Sequence, residues 1–464
     1  MTLSPRWVLA AALVLAAASL ALPFWPVYDP WAWLVWGREL LGGGFETATG
    51  PSWKPLPVLI DAPLSLLGDA APKAWLLVAR SGWFAAALLA GLLAARLSGE
   101  GTGRGRWAAA AVAAGSVALT GDAFTPPLRQ FTGGLSEPLL VALVLGAVWA
   151  ALDERPGLAL GLGTAAALLR PECWPFLALF AYFSARERPR LRPAAVTVAI
   201  LVPVVWFVPD IVGAGTPLEG SQTARGTDIE PLDFFAVLWR TLAAPLAAAW
   251  LGLALLLWPE RGELDRPLAI LGAGAAAWVL LVAVMAIGGF AGLPRFLAPA
   301  TALVAVLGGV GIARSAAAAS LSRSAGPFNR YADQKSGGPP SRVLRGLVVA
   351  ALVLAVVGFG WRAAQIPGDL EVVERQQRSL DQLFDLVDET GKARLLACGG
   401  NVRMTQVRPQ TALAWKLDEP IVSVPVRRKP RYGVALSTKA LPGNGAVIAQ
   451  AGRWRATRFP CPTR

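Results

Sequence analysis

Long apolar runs broken by short polar stretches fill the first three-quarters of the chain, and in the last hundred residues the runs shorten and charge returns. Runs of about 17 to 25 residues suffice to cross ~30 Å of hydrocarbon. The pattern predicts about eleven transmembrane helices. The first four lie near Val8–Trp25, Trp75–Leu97, Trp107–Thr120 and Leu135–Leu152. Two shorter runs then meet at LLRPECWPF, where Arg170, Pro171 and Glu172 interrupt them. A seventh helix follows ARERPRLR, the eighth and ninth flank PERGELDRP, the tenth ends at Arg314, and the eleventh covers about Gly346–Trp361. Beyond it, Leu370, Val373, Leu380, Leu383 and Phe384 recur at helical spacing up to Gly391, which predicts an amphipathic helix. ARLLACGG and GAVIAQAG read as short strands. The expected architecture is an all-α polytopic membrane bundle over residues 1–361, with a first outer loop at 26–73, followed by a small extracytoplasmic α/β domain over 362–464.

Composition sharpens this picture. The chain of 464 residues is 55% hydrophobic and 16% charged, with mean hydropathy +0.51, against roughly 25% charged residues in soluble domains. Its net charge of +13 invites an anionic partner, but the basic residues fall in short loops and the tail rather than along one patch. The expected partner is therefore the lipid bilayer and not nucleic acid. Arg104 and Arg106, the four arginines of ARERPRLR and the basic stretch Arg314–Arg345 fall in alternate loops. The bias of Lys and Arg toward cytoplasmic loops then puts the N-terminus inside and the first loop and tail outside a bacterial plasma membrane. Ala16-Ala17-Ala18 also fits a signal cleavage site, and Asp29 lies outside either way.

The absence of histidine excludes a Ser-His-Asp triad, a His-paired cysteine and a His-ligated metal. Acid–base work falls to carboxylates, lysine or tyrosine. Of three cysteines, Cys398 and Cys461 lie in the extracytoplasmic tail, where a disulfide suits an oxidising compartment and two free thiols are the alternative. Cys173 reads as a small apolar residue.

Polar groups at membrane depth are costly and mark function. Asp29, Glu39, Lys54, Asp61, Asp122, Arg129, Glu137, Arg170, Glu172 and Arg295 all fall at helix ends or in the loop on the outer side. Asp29-Pro30 matches a helix N-cap followed by proline, a role compatible with catalysis. Lys54 sits among Trp53, Pro55 and Pro57, placed either to snorkel to headgroups or to meet a phosphate. Arg295 has the same two readings. Glu137 before Pro138 suits a helix start, and Arg170 with Glu172 suits a local ion pair. Arg129 is a further supporting candidate. The tryptophans read as an interfacial belt, with Trp31 and Trp53 available to stack on a sugar.

YDPWAW around Asp29, Lys54-Pro55-Leu56-Pro57, LSEPLL at 135–140, LLRPECWPF at 168–176 and AGLPRFLAPA at 291–300 resemble, in order and sidedness, the GT-C superfamily of polytopic membrane glycosyltransferases. The resemblance covers roughly residues 1–361. It implies transfer of a sugar from a polyprenyl-phosphate donor to a glycan, lipid or protein acceptor of the cell envelope, with inversion, and the Ala/Arg-rich composition of the chain points to a bacterial source and a mannose- or arabinose-like sugar. It also implies Asp29 as general base and Lys54 and Arg295 at the donor phosphate. No cofactor is required beyond the lipid-linked substrate, and a divalent metal is left open. The chain departs from several branches in carrying one acidic residue where they carry a pair, and it lacks the oligosaccharyltransferase tail motif. A transporter or flippase of lipid-linked glycans is the alternative, although no internal repeat typical of transporters is evident. A third reading is an envelope scaffold whose tail binds an acidic glycan through VRRKPR at 426–431.

Overall fold

The computed structural model describes residues 5–99, 102–119, 127–225, 236, 246–258, 265–324, 341–398 and 400–461. Asp122, most of the loop after Arg225 and the centre of the Arg314–Arg345 stretch lie outside them. Helices α1 (Pro5–Ser19), α2 (Tyr28–Gly42), α3 (Pro55–Ser65), α4 (Ala71–Ser98), α5 (Gly105–Leu119), α6 (Pro127–Gly133) and α7 (Glu137–Leu152) open the chain. They are followed by α8 (Pro156–Ala167), α9 (Trp174–Glu187), α10 (Arg192–Ala214), α11 (Glu219–Arg225), α12 (Ala247–Leu256), α13 (Arg266–Ile287), α14 (Ala298–Ser324) and α15 (Ser341–Thr390). This is a multi-pass membrane protein. Among the described residues, by length and composition, five helices can cross a bilayer, and four more are apolar but only 10–17 residues long. Length alone therefore does not give the eleven crossings that the apolar runs predict.

Two boundaries differ from the sequence reading. The tenth predicted helix runs on past Arg314 to Ser324, since the alanine-rich ARSAAAASLS has no breaker. The eleventh helix and the amphipathic tail helix form one 50-residue helix, α15, with Pro367 inside it. Residues 361 and 362 are consecutive positions of that helix.

The tail carries a four-stranded sheet, β1 (Val402–Met404), β2 (Val434–Ser437), β3 (Ala446–Ala451) and β4 (Trp454–Arg458), in the order β1-β2-β4-β3. β1 and β2 are parallel, with Val402 opposite Val434, and β4 pairs antiparallel with both β2 and β3. Of the two predicted strands, GAVIAQAG contains β3. ARLLACGG instead starts as a helical turn, Lys392–Leu395, initiated by Gly391 at φ 81°. β1, β2 and β4 escape the pattern because their buried faces are not alternating: β1 and β2 are buried at every residue. Cys398 and Cys461 are bonded, with S–S 1.97 Å and Cα–Cα 5.2 Å.

The tryptophans of the first loop do not form a membrane belt. Trp31, Trp33 and Trp36 are 0–3% exposed and share one core with Leu383, Leu413, Leu436 and Trp454 of the tail. The helix α16 (Gln410–Leu417) completes this junction. Tyr28 Oη donates to Gln410 Oε1 at 3.1 Å and Thr411 Oγ1 donates to the Tyr28 carbonyl at 2.8 Å. Arg38 meets Asp418 at 2.8 Å. The tail thus clamps α2, the helix that carries Asp29.

Two close approaches set the loop against the bundle. A Cβ at Gly37 of α2 would lie 2.7 Å from the Asp61 and Ala62 backbone of α3, and one at Gly82 of α4 would lie 2.6 Å from Leu139 Cα of α7. Any side chain at either position would push apart the helices that hold Asp29, Lys54 and Glu137.

Asp61, beside the first of these contacts, is 0% exposed, and both its carboxylate oxygens lack a hydrogen-bond partner. Burial raises its pKa well above the ordinary value. The protonated form is favoured in the fold, so this residue costs nothing below the unfolded value near ~3.9 and destabilises increasingly as pH rises toward the folded value. Asp61→Asn, of the same shape but without an ionisation, is expected to melt a few degrees higher at pH 7.5 and level with wild type at pH 4.5. Equal melting at both pH values would contradict the account.

Candidate active site

Five segments converge at the ends of α2, α3 and α7. α2 begins at Tyr28 with Val27 as its N-cap residue, and no side chain caps it. Asp29 therefore lies in the first helical turn and is not the cap expected from Asp-Pro. Its carboxylate still gains from the helix dipole, and its oxygens remain available to other groups. Lys54 is the N-cap residue of α3, extended at φ −139°, with Pro55 and Pro57 in the first turn of a short helix. Glu137 opens α7. Arg170 and Glu172 lie in the break between α8 and α9, where a 3₁₀ turn at Pro171–Cys173 separates the two. Arg295 lies in a second 3₁₀ turn, Pro294–Leu297, before α14.

These six charges form one network. Lys54 Nζ lies 4.0 Å and Arg295 Nη2 3.8 Å from the same oxygen, Asp29 Oδ2. Arg295 Nε is 3.6 Å from Glu137 Oε1, which Arg170 Nη2 engages at 2.5 Å. Arg170 Nη1 reaches Glu172 Oε1 at 3.4 Å. Glu137, Glu172 and Arg170 are 2–7% exposed at the side chain, whereas Asp29 and Arg295 are 17% and 25% exposed. The network thus has a buried half built on Glu137 and an accessible half built on Asp29. Three carboxylates face three cations, which balances the buried charge.

Arg170 and Glu172 do pair, but the shorter contact of Arg170 is to Glu137, so the pair joins two helices rather than only its own turn. Arg129 does not join the network; its guanidinium meets Asp369 of α15 at 3.5 Å. Trp31 and Trp53 are each 3% exposed, which removes them as platforms for a sugar. Trp31 Nε1 donates to the Pro26 carbonyl at 3.0 Å and its ring meets Phe384 edge-on, while Trp53 Nε1 donates to the Val205 carbonyl at 3.2 Å and packs on Trp36 and Phe45. Cys173 is buried and free.

Several members of the site were not singled out in the sequence. Ser136 Oγ accepts from Lys54 Nζ at 3.5 Å, and the Lys54 ammonium stands 5.1 Å from the centre of the Trp33 ring. Phe296 lies under Arg170, 3.8 Å from its guanidinium carbon. These contacts favour the cations and fix where they point. The serine beside Glu137 in LSEP and the phenylalanine beside Arg295 in LPRF were the available signals. Tyr28, next to Asp29, has its phenol pushed up to about 12, mainly by burial and then by the Asp29 charge, so it stays protonated.

Burial lowers the Lys54 ammonium to about 8. Glu137 opposes this, Arg170 reinforces it, and smaller contributions come from Asp29 upward and Arg295 downward. Chemically, the arrangement offers one accessible carboxylate with two cations resting on the same oxygen at distances longer than a close ion pair. A phosphate would compete for those cations directly.

No family model matches the chain, and no curated protein matches it in sequence. Its fold does match solved structures. The crystal structure of ArnT from Cupriavidus metallidurans bound to undecaprenyl phosphate aligns with a TM-score of 0.55 at 14% identity, over 97% of each chain. The apo state of the same protein aligns with a TM-score of 0.56, again at 14% identity and 97% coverage of both chains. The likeness is one of fold, and it extends over nearly the whole chain, tail included.

Proposed function

We propose that the protein is a membrane glycosyltransferase that moves a mannose- or arabinose-like sugar from a polyprenyl-phosphate donor to a cell-envelope acceptor on the outer face of a bacterial plasma membrane. The N-terminus is then cytoplasmic and the tail extracytoplasmic. The observation that carries this reading is the meeting of Lys54 and Arg295 on one oxygen of an accessible Asp29. The likeness in fold to a protein crystallised with undecaprenyl phosphate supports the same class of donor.

In this reading Asp29 takes the proton of the acceptor hydroxyl. The acceptor oxygen bonds to the anomeric carbon from the face opposite the phosphate, and the bond from that carbon to the phosphate oxygen breaks. Polyprenyl phosphate leaves with the electron pair, and the configuration inverts. The charges follow a simple exchange. Protonation removes one negative charge from Asp29 as the departing phosphate gains one, so Lys54 and Arg295 pass from the carboxylate to the phosphate. A unit charge at ~4 Å and an effective dielectric of ~20 is worth about 4 kcal/mol, and interactions gained only as charge develops raise the rate. Written this way, the displacement needs no metal ion.

The direct test supplies purified protein with labelled polyprenyl-phosphate sugars and follows release of polyprenyl phosphate together with acceptor-linked sugar. Translocation of lipid-linked glycan in vesicles without transfer would replace this reading with the transporter. Binding also has an expected pH dependence. A phosphate raises the affinity of Lys54 for its proton, so above about pH 8 donor binding takes up one proton. Affinity for undecaprenyl phosphate should then fall by up to ~10-fold per pH unit, and Lys54→Arg should flatten that slope. A slope unchanged by Lys54→Arg would remove Lys54 from the phosphate site.

A further inference from the structure

α9 and α10 diverge from their connection at Pro189–Leu191 and leave between them an open cleft of about 690 Å³, well within the size of small-molecule sites. Its floor is Leu177, Ala181 and Val202, all less than 10% exposed. Its walls carry small residues such as Ala195 and Ala199, which is why the cleft stays open. One end is closed by Trp174, two residues after Glu172. The other end is lined by Arg186 from the last turn of α9 and Arg192 from the first turn of α10, both exposed. Arg188 and Arg190 lie between them, and Glu187 is the one acid in this stretch. Arg188 is directed to the Glu154 carbonyl at 3.1 Å, and Arg192 reaches the Ala185 carbonyl through Nε at 3.4 Å, which leaves its terminal nitrogens to point elsewhere.

We propose that this cleft binds an anionic glycerophospholipid of the bilayer, with one acyl chain along the alanine-lined groove and the phosphate between Arg186 and Arg192. Water has no partners along such walls, so a hydrocarbon chain fills them at the lowest cost. Both arginines line the cleft at the end where the helices join, and guanidinium groups recognise phosphate in paired fashion. α9 spans about 21 Å at 1.5 Å per residue, the scale of one leaflet. The site is separate from the Asp29 network and lies at the opposite end of α9 from Arg170. By the distribution of basic loops it faces the inner leaflet, so the lipid would brace the short α8–α9 pair that carries Arg170 and Glu172.

The test uses full-length protein in nanodiscs of phosphatidylcholine with and without ~20% of the anionic lipid phosphatidylglycerol. Wild type is expected to melt several degrees higher with phosphatidylglycerol, and to retain one such lipid through detergent extraction when followed by native mass spectrometry. Arg186→Gln with Arg192→Gln should lose both effects while melting normally in phosphatidylcholine. Ala199→Trp, which fills the groove, should lose the retained lipid with the arginines intact. Equal stabilisation by the two lipids in wild type, or selectivity that survives the double arginine change, overturns the proposal. Selective retention of undecaprenyl phosphate in place of phosphatidylglycerol overturns it as well, since the groove would then be a route for the donor.

Discussion

Asp29→Asn is expected to lower the rate of sugar transfer by ~10² to 10⁴-fold, the range for loss of a positioned general base, while donor affinity stays level or rises. The two halves of this result come from the same contacts. Lys54 and Arg295 sit 4.0 and 3.8 Å from Asp29 Oδ2, so a neutral amide there frees both cations for the phosphate at all stages of the reaction. The substitution removes a proton acceptor without removing volume, and Asp29 makes no side-chain cap that the first turn of α2 would lose. Stability should therefore change little. Single-turnover transfer with a labelled donor separates the rate from binding, which undecaprenyl phosphate titration measures alone. A rate near wild type would assign the carboxylate a structural role and end its candidacy as base. A lower rate that is matched by an equal loss of affinity would instead make Asp29 a binding residue.

The sequence shows the two halves of this site unequally, for a physical reason. Asp29, Lys54 and Arg295 stand beside prolines and apolar residues at the ends of hydrophobic runs, where a charge is costly and therefore conspicuous. Glu137 is more deeply buried than any of these yet looks ordinary, because an acid at N1 of a helix already has a local explanation in the helix dipole. Its link to Arg170, 33 positions later, depends on how the break after α8 packs against the start of α7, which periodicity does not encode. The same limit explains Trp31 and Trp53. A tryptophan near an apolar run reads as interfacial, but here the tail packs on α2 and turns the belt into a core. That tail was the least legible part. Its strands are three to six residues long and two are buried on both faces, so neither alternation nor length separates them from loops.

Glu137→Gln is expected to be the most damaging single change to stability, at about 3–5 kcal/mol, the cost of leaving a buried charge without its partner. With Glu137 present, three carboxylates balance Lys54, Arg170 and Arg295. Without it the cluster holds an excess positive charge, and Arg170, whose side chain is 7% exposed against 11% for Lys54 and 25% for Arg295, is the cation with least access to water. The glutamine preserves a hydrogen-bond acceptor at 2.5 Å from Arg170 Nη2, so any loss reports charge balance and not a missing contact. Adding Arg170→Met tests this directly. The double variant restores equal numbers of carboxylates and cations, and paired removal of buried charges is often nearly neutral, so it should recover most of the melting temperature that the single change loses. Thermal denaturation in one detergent, compared across wild type, both single variants and the double variant, gives the coupling energy between the two sites. Additive losses would mean that Glu137 and Arg170 act independently. A Glu137→Gln protein as stable as wild type would mean that water reaches this cluster freely. Strong coupling together with donor binding retained in the double variant would place Glu137 and Arg170 as the frame that holds Arg295 and Lys54 against Asp29, with the chemistry confined to the accessible half of the network.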